Sequence, residues 1–146
     1  MFKKVFLGLI LCFILVGAVS AIDITSFTAL DDFEDVGDGV YVLYDTFKQP
    51  DQVLSVVAHT EHDAEDYLTN DTENGYTVYE YENNTYNFVD ESMDEKGSFE
   101  LIEVDGQMFI IDFAKYGIDD ERDFNETFDD LMKFNELNGV EPIEFQ

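Results

Sequence analysis

The stretch FELIEVDGQMFIIDF, residues 99–113, decides the fold because it encodes a β-hairpin. Two runs rich in aromatic and branched apolar residues flank Asp105-Gly106. Asp-Gly favours the type I′ turn, in which both central residues need a positive φ. A two-residue turn at this point pairs Ile102 with Phe109 and Leu101 with Ile110. The sequence therefore predicts two antiparallel strands, over residues 99–104 and 107–113.

A second hairpin is predicted directly upstream, with strands over residues 76–82 and 85–90 around Asn83-Asn84. A two-residue turn there aligns aromatic residues across the strands on one face. The predicted pairs are Tyr81 with Tyr86 and Tyr79 with Phe88. This aromatic face is either a binding surface or the surface on which the C-terminal helix packs, and we expect the packing.

Shorter strands are predicted elsewhere along the chain. Residues 22–30 indicate an edge strand, and Val40–Tyr44 has the β-branched and aromatic residues typical of a strand. Residues 53–58 are apolar on both faces, which favours a central strand. Residues 90–98 are predicted to be a polar loop between the hairpins, and residues 140–145 a last extended segment.

Two helices complete the predicted fold. Thr60 is typical of an N-cap, and a short helix is expected over Glu61–Leu68. Residues 124–137 have the amphipathic pattern of a helix that ends at Asn138-Gly139. Its predicted apolar stripe is Phe124, Phe128, Leu131, Met132 and Asn135. The fold class is therefore α+β: a mostly antiparallel sheet of six to seven strands with a short middle helix and an amphipathic C-terminal helix packed on the sheet.

The N-terminus has the three parts of a secretory signal peptide. Lys3 and Lys4 precede an apolar run over residues 5–19, and small residues lead to Ala21. We expect cleavage between Ala21 and Ile22, which divides the chain into a signal peptide, 1–21, and a single acidic α+β domain, 22–146. The predicted location is secreted or cell surface. The alternative is an uncleaved N-terminal helix that anchors the protein, although about 15 apolar residues fall short of the roughly 20 that a spanning helix needs.

Acidic residues dominate the composition, with 34 Asp and Glu against 7 Lys and Arg. Cleavage would remove Lys3 and Lys4 and leave a formal charge of −29, from 5 basic and 34 acidic residues. Such a charge repels nucleic acid and anionic lipid, so we expect neither nucleic acid nor, after cleavage, a membrane as partner. The expected partner is an unknown protein or cell-envelope component, and a cationic one would suit the charge.

Thiol chemistry is excluded after cleavage, because Cys12 is the single cysteine and lies within the signal peptide. Disulfides, thiolate zinc sites and cysteine nucleophiles therefore have no place in the domain. We find no nucleophile–base pattern and no phosphate-binding glycine loop, and we predict a non-catalytic domain without a cofactor.

One group of residues has the composition of a metal site. His59 and His62 are the two histidines of the chain, and Asp63 and Asp66 follow at helical spacing. Imidazole and carboxylate groups are ligands for divalent transition metals. An extracellular protein that binds a divalent metal through these four residues is the alternative function.

Three Asn-x-Thr sequons are candidate N-glycosylation sites in an exported protein. They begin at Asn70, Asn83 and Asn125. Asn70 falls in a predicted polar loop and Asn83 at a predicted hairpin tip, so both are expected to be accessible. Asn125 falls within the predicted C-terminal helix.

The Asp105-Gly106 hairpin followed by the C-terminal helix and its Asn138-Gly139 stop resembles the Mog1/PsbP-like fold. The Lys-Lys signal start and the Asn-rich hairpin are similar to those of small secreted acidic proteins of methanogenic archaea. The resemblance implies consecutive antiparallel strands closed by a C-terminal helix, and it places no catalytic residue in this chain. The expected function is an interaction or structural role outside the cell.

Overall fold

A computed structural model describes residues 24–58, 61–117 and 124–145, without the side chains of residues 25 and 61–64. The predicted signal peptide, its cleavage position at Ala21 and Ile22, and His59 lie outside these residues. Within the described ranges, no helix is long and apolar enough to cross a membrane.

An antiparallel sheet forms the body of the domain. Its described strands are β1 (Glu34–Gly37), β2 (Val40–Tyr44), β3 (Pro50–Ala58), β4 (Tyr76–Glu80), β5 (Thr85–Asp90), β6 (Glu95–Val104), β7 (Gln107–Tyr116) and β8 (Pro142–Ile143). Seven of them follow one another in the order β1-β2-β3-β7-β6-β5-β4. Two meanders meet where β3 pairs with β7, and β8 pairs with β6 beyond the end of β5. The coarse α+β prediction is confirmed, with eight strands among the described residues.

The β6–β7 hairpin has the predicted turn and register. Asp105 and Gly106 have φ values of 52° and 81°, and Ile102 pairs with Phe109. Both strands are longer than predicted, and the expected polar loop over residues 90–98 is wrong. Only residues 91–94 separate β5 from β6, because Lys96 and Ser98 are buried and continue the ladder with β5 and β7.

The β4–β5 hairpin forms, but its predicted register is wrong by one residue. Tyr79 pairs with Asn87 rather than Phe88, and the backbone N–H of Tyr81 donates to the carbonyl of Thr85. The loop therefore has three residues, 82–84, and the side chains of β4 move to the opposite face. The expected single aromatic face is divided between the two faces of the sheet.

The predicted edge strand over residues 22–30 is wrong for the part that the structure describes. Residues Ile24–Ser26 form one turn of 3-10 helix, and Phe27 lies in the core against Phe109 and Phe134, at ring-centroid distances of 5.0 and 6.0 Å. The segment is held on the sheet by these aromatic contacts and not by a strand ladder.

Two helices lie on opposite faces of the sheet. Helix α1 (Glu61–Leu68) has the predicted bounds, and helix α2 (Asn125–Asn138) begins one residue later than predicted. Gly139, with φ 63°, ends α2 as a left-handed cap, and its N–H donates to the carbonyls of Asn135 and Glu136. We call the sheet face under the C-terminal helix the α2 face and the other the α1 face.

The main apolar core lies on the α2 face. Its centre is built from fully buried residues of β3, β6, β7 and α2, which are Leu54, Ile102, Phe109, Ile111, Phe113, Leu131 and Phe134. Leu131 confirms part of the predicted stripe of α2, whereas Phe134 was not in it. A smaller cluster around Phe88, Phe99 and Ala114 lies on the α1 face and includes Tyr67 of α1.

Candidate functional site

A cavity of about 210 Å³ lies between α1 and the sheet, and we call it the acidic cavity. Four carboxylate residues and three aromatic residues line it: Asp66, Asp90, Glu95, Asp112, Tyr67, Tyr76 and Phe88. Its volume is below the roughly 300–1,000 Å³ of typical small-molecule pockets, so it suits a ligand of few atoms.

Strand alternation brings these residues to one face. Phe88 and Asp90 alternate with Asn87 on β5, and Asp112 lies between Ile111 and Phe113, which are core residues of the α2 face. Side chains alternate between the faces of a strand, so Asp112 points to the α1 face. Helix α1 adds Asp66 and Tyr67, and the Tyr67 ring contacts Phe99 edge-on at 5.2 Å between centroids.

Gly97 leaves room for the Phe88 ring beside the cavity because it has no side chain. The two residues pair across β5 and β6. A Cβ atom at Gly97 would lie 2.6 Å from Cε1 of Phe88 and 2.1 Å from the carbonyl oxygen of Phe113. These distances are far below van der Waals contact, so residue 97 must be glycine for the Phe88 ring to keep its present position against β6.

Asp112 is the most unusual side chain of the cavity. Its Oδ1 is buried and has no hydrogen-bond partner. Burial raises the pKa of Asp112 from an ordinary 3.8 to about 8, and the negative charge of Glu95 acts in the same direction. A buried carboxylate without a partner is costly, because it loses hydration and gains nothing in exchange.

The neighbouring titratable groups show the same excess of negative charge. Burial, together with the charge of Asp90, raises the pKa of Glu95. Burial also raises the pKa of Tyr76 well above its ordinary value, with further contributions from Asp112, Asp90 and Glu95. The hydroxyl of Tyr76 donates to the carbonyl oxygen of Tyr67 at 2.7 Å, which fixes its ring beside α1.

No positive side chain of the described residues balances this charge. The four described lysines, Lys48, Lys96, Lys115 and Lys133, are absent from the lining of the cavity. Lys96 and Lys115 are cross-strand partners on the α2 face, Lys115 pairs with Glu126, and Lys133 pairs with Asp130. Among the described residues, the lining of the cavity therefore contains carboxylate groups and no lysine, a composition that suits a cation.

Buried polar groups also lie on the α2 face, where several make hydrogen bonds to one another, although Oε1 of Gln52, Oε1 of Glu100 and Oδ1 of Asn135 have no partner. The hydroxyl of Ser98 donates to Oδ1 of Asn87 at 2.7 Å and lies 2.9 Å from the hydroxyl oxygen of Thr127. Nδ2 of Asn135 donates to Oε2 of Glu100 at 2.9 Å. Burial raises the pKa of Glu100 to about 8, and the Asn135 hydrogen bond lowers it only in part.

The structure brings one of the four predicted metal ligands to the cavity. Asp66 lines it, whereas the side chains of His62 and Asp63 on α1 and the whole of His59 lie outside the described residues. Within the described ranges, no group of three or more His, Cys, Asp or Glu side chains is placed to hold a metal ion.

Sequence reasoning missed Asp90, Glu95, Tyr76 and Asp112 as a group. One signal could have pointed to Asp112, because it is the single charged residue in the run FIIDFA, residues 109–114. A carboxylate inside an apolar strand is rare unless it is paired or has a function. Its companions come from other strands and one helix, so no local pattern joins them.

The three sequons differ in accessibility. Asn70 and Thr72 are both exposed, and Oδ1 of Asn70 accepts a hydrogen bond from the N–H of Val78 at 2.8 Å. The sequon threonines after Asn83 and Asn125 are buried, at 0% exposure for Thr85 and 1% for Thr127. In the folded chain, the Asn70 sequon is therefore the most accessible of the three.

A second, larger cleft of about 740 Å³ lies at the C-terminal end of α2, where Asn135 and Gly139 face the β6–β7 hairpin. Its acidic residues are Glu103, Asp105, Glu136 and Glu141. These four side chains are exposed, and no aromatic residue lines the cleft. The acidic cavity is the better candidate for a binding site because it combines burial, charge and aromatic walls.

No family model matches the chain, and the comparisons with curated proteins and with solved structures find no match.

Proposed function

We propose that this chain is a secreted or cell-surface, non-catalytic binding domain that takes up a cationic ligand in the acidic cavity. The observation that carries the proposal is the meeting of Asp66, Asp90, Glu95 and Asp112 in a cavity that no described lysine lines. Carboxylates brought together repel one another, and a cation between them removes the repulsion. The unpartnered Oδ1 of Asp112 has the most to gain from such a ligand.

The overall charge supports the same function. With 34 acidic and 7 basic residues, the chain carries a large negative net charge that attracts cations. The proposed partner is a cationic ligand presented by an unknown protein or a cell-envelope component, or free in solution. Nucleic acid and anionic membranes are not proposed as partners, because both would be repelled.

Thermal unfolding at fixed ionic strength tests cation binding. A cation that binds the folded state raises the melting temperature as its concentration rises, while sodium chloride keeps the ionic strength constant. The panel includes calcium, zinc and organic ammonium chlorides. We expect at least one member to stabilise the protein, and to lose that effect in Asp112→Asn. If every cation acts only as sodium does, the proposal is wrong.

A divalent metal is the second candidate ligand, and the position of Asp66 favours it. Asp66 lines the cavity, and His62 precedes it by one helical turn on α1. Zinc titration of the protein and of His62→Ala tests this alternative, because a zinc site that uses the imidazole weakens at least tenfold without it. Binding of zinc with equal affinity by both proteins would exclude a role for His62.

Export is tested separately by the intact mass of the protein recovered from the culture medium or from the cell envelope. We expect the mass of residues 22–146, with additional glycan mass if Asn70 is modified. A mass that includes residues 1–21 would instead show an anchored protein.

A further inference from the structure

We infer that the acidic cavity binds a small organic ammonium ion, with the ammonium group between the aromatic walls and the carboxylate of Asp112. This inference rests on the proposed function and adds the chemical class of the ligand to it. Its evidence is the aromatic part of the lining, the distribution of the carboxylates and the size of the cavity.

The aromatic walls are the first argument. Tyr67, Tyr76 and Phe88 are three of the seven lining residues. Tyr76 and Phe88 lie 5.9 Å apart between ring centroids with their planes at 33°. The faces of aromatic rings attract cations, most strongly where the cation is removed from water, and such walls are the usual recognition elements for alkylated ammonium groups. A bare metal ion gains little from an aromatic wall because it requires oxygen, nitrogen or sulfur ligands.

The spread of the carboxylates is the second argument. In the β6–β7 ladder, Asp112 is opposite Phe99 and Glu95 is opposite Tyr116. These positions are four residues apart, which is about 13 Å along a strand. Calcium needs six to eight oxygen atoms at about 2.3–2.6 Å, and among the described residues no group of three or more His, Cys, Asp or Glu side chains is placed to hold a metal ion. A diffuse organic cation is stabilised by carboxylates at several sides of it without that geometry.

The burial of Asp112 is the third argument. Its Oδ1 is shielded from solvent and has no hydrogen-bond donor. A singly charged organic ammonium ion can reach such a group at a smaller desolvation cost than a small divalent metal ion. A cavity of about 210 Å³ also limits the ligand to a small ammonium compound or the end of one side chain.

Calorimetric titration of the purified protein with choline tests the inference directly. The matched neutral ligand is 3,3-dimethylbutan-1-ol, which has the same shape without the charge. We expect choline to bind, and the neutral ligand to bind at least about tenfold more weakly. The second cationic probe is n-butylammonium, which is an analogue of the lysine side chain. A preference for choline indicates a free quaternary ammonium ligand, and a preference for n-butylammonium indicates a lysine side chain as the source.

Variants locate the site. Asp112→Asn keeps the shape of the side chain and should weaken binding of the preferred ammonium probe at least about tenfold. Glu95→Gln, at the more exposed side of the cavity, repeats the test if Asp112→Asn does not fold. Glu100→Gln is the control, because it neutralises a buried carboxylate on the opposite face and should leave the affinity unchanged. In proton NMR spectra, the methyl signal of bound choline should move upfield because of the aromatic rings.

The outcomes separate this inference from the proposed function. If calcium or zinc binds in an Asp112-dependent way and neither ammonium probe does, the ligand class is wrong and the cation-binding function stands. Equal binding of choline and its neutral isostere also overturns the ammonium inference. If no cation binds at all, both the inference and the proposed function fail.

Discussion

The two faces of the sheet differ in how many hydrogen bonds their buried polar side chains make. On the α2 face, Ser98 has Asn87 and Thr127 as neighbours, and Glu100 has Asn135, although Oε1 of Glu100 and Oδ1 of Asn135 lack a partner. On the α1 face, Oδ1 of Asp112 has no partner. The α2 face also carries the larger apolar core, whereas the α1 face combines a small aromatic cluster with the acidic cavity.

This difference predicts separate roles for the two faces, with the α2 face stabilising the fold and the α1 face binding the proposed ligand. Hydrogen-bonded polar groups under α2 specify how the helix docks and add little net energy. An unpartnered carboxylate under α1 lowers stability, and proteins retain such groups mainly where they have a function. We therefore expect substitutions on the α2 face to affect mainly folding, and substitutions around the acidic cavity to affect binding.

The largest expected effect is a cavity in the α2-face core. Phe134 is fully buried and contacts Phe27 and Phe113. Phe134→Ala should lower the free energy of unfolding by about 3–5 kcal/mol, measured by urea denaturation. Phe145→Ala is the matched change on the α1 face, where Phe145 is only half-buried against Tyr86 and Phe99. It should cost about 1–2 kcal/mol, and equal losses would contradict the unequal division of the core.

The sequence predicted the parts of the fold that depend on local signals. Asp105-Gly106 determines the turn and the register of the β6–β7 hairpin, and Gly139 ends α2. Both features depend on residues that adopt a positive φ and on their immediate neighbours. The predicted β4–β5 register is wrong. The predicted type I′ turn requires positive φ at Asn83 and Asn84, and both residues also have positive φ in the three-residue loop that forms. Propensity alone does not distinguish the two loops.

Features that depend on distant contacts could not be predicted. Phe27 is held by Phe109 and Phe134, which are far away in sequence, so its strand-like pattern was misleading. The acidic cavity takes residues from α1, β4, β5, β6 and β7. The resemblance to the Mog1/PsbP-like fold and the export of the chain stay predictions.

The second prediction concerns the glycine that shapes the cavity. Gly97→Ala introduces a Cβ that the Phe88 ring and the Phe113 carbonyl cannot both accommodate at their present positions. The strands must shift, at a cost of about 1–3 kcal/mol in the free energy of unfolding. Ammonium binding should weaken as well, because Phe88 lines the cavity.

Ser98→Ala, at the next position on the opposite face, is the control for Gly97→Ala. It removes hydrogen bonds to Asn87 and Thr127 and should cost about 1–2 kcal/mol without affecting ligand affinity. A Gly97→Ala protein with unchanged stability and affinity would show that Phe88 is free to move.

The third prediction is a fall in stability as the pH rises. Glu100 and Asp112 have folded-state pKa values of about 8, above their ordinary 4.5 and 3.8. Between those values the folded state binds more protons than the unfolded state, so the free energy of unfolding decreases as the pH rises. Each group contributes up to about 1.4 kcal/mol per pH unit. Urea denaturation at pH 5, 6, 7 and 8 measures the slope.

The two carboxylates should respond differently to substitution and ligand. Oε1 of Glu100 is buried without a partner, so the protonated form of this carboxyl group costs less than the ionised form, and a neutral amide at this position avoids the buried charge. Glu100→Gln should therefore fold well and flatten the pH dependence. A saturating ammonium ligand should flatten the part of the slope that belongs to Asp112, because the cation favours its ionised form. An unchanged slope in Glu100→Gln would contradict the prediction for the α2 face.

The smallest expected effect belongs to the ion pair between Lys115 and Glu126, whose side chains are 25% and 53% exposed. Lys115→Met should cost less than about 1 kcal/mol, and the cost should shrink further at high salt, because exposed pairs are screened by water and ions. Nε2 of Gln52 still donates to Oε1 of Glu126 at 2.8 Å and keeps that carboxylate hydrogen-bonded. A loss as large as that of Phe134→Ala would mean that charge, and not apolar packing, holds α2 on the sheet. A small loss leaves the buried aromatic contacts of Phe134 as the main link between helix and sheet.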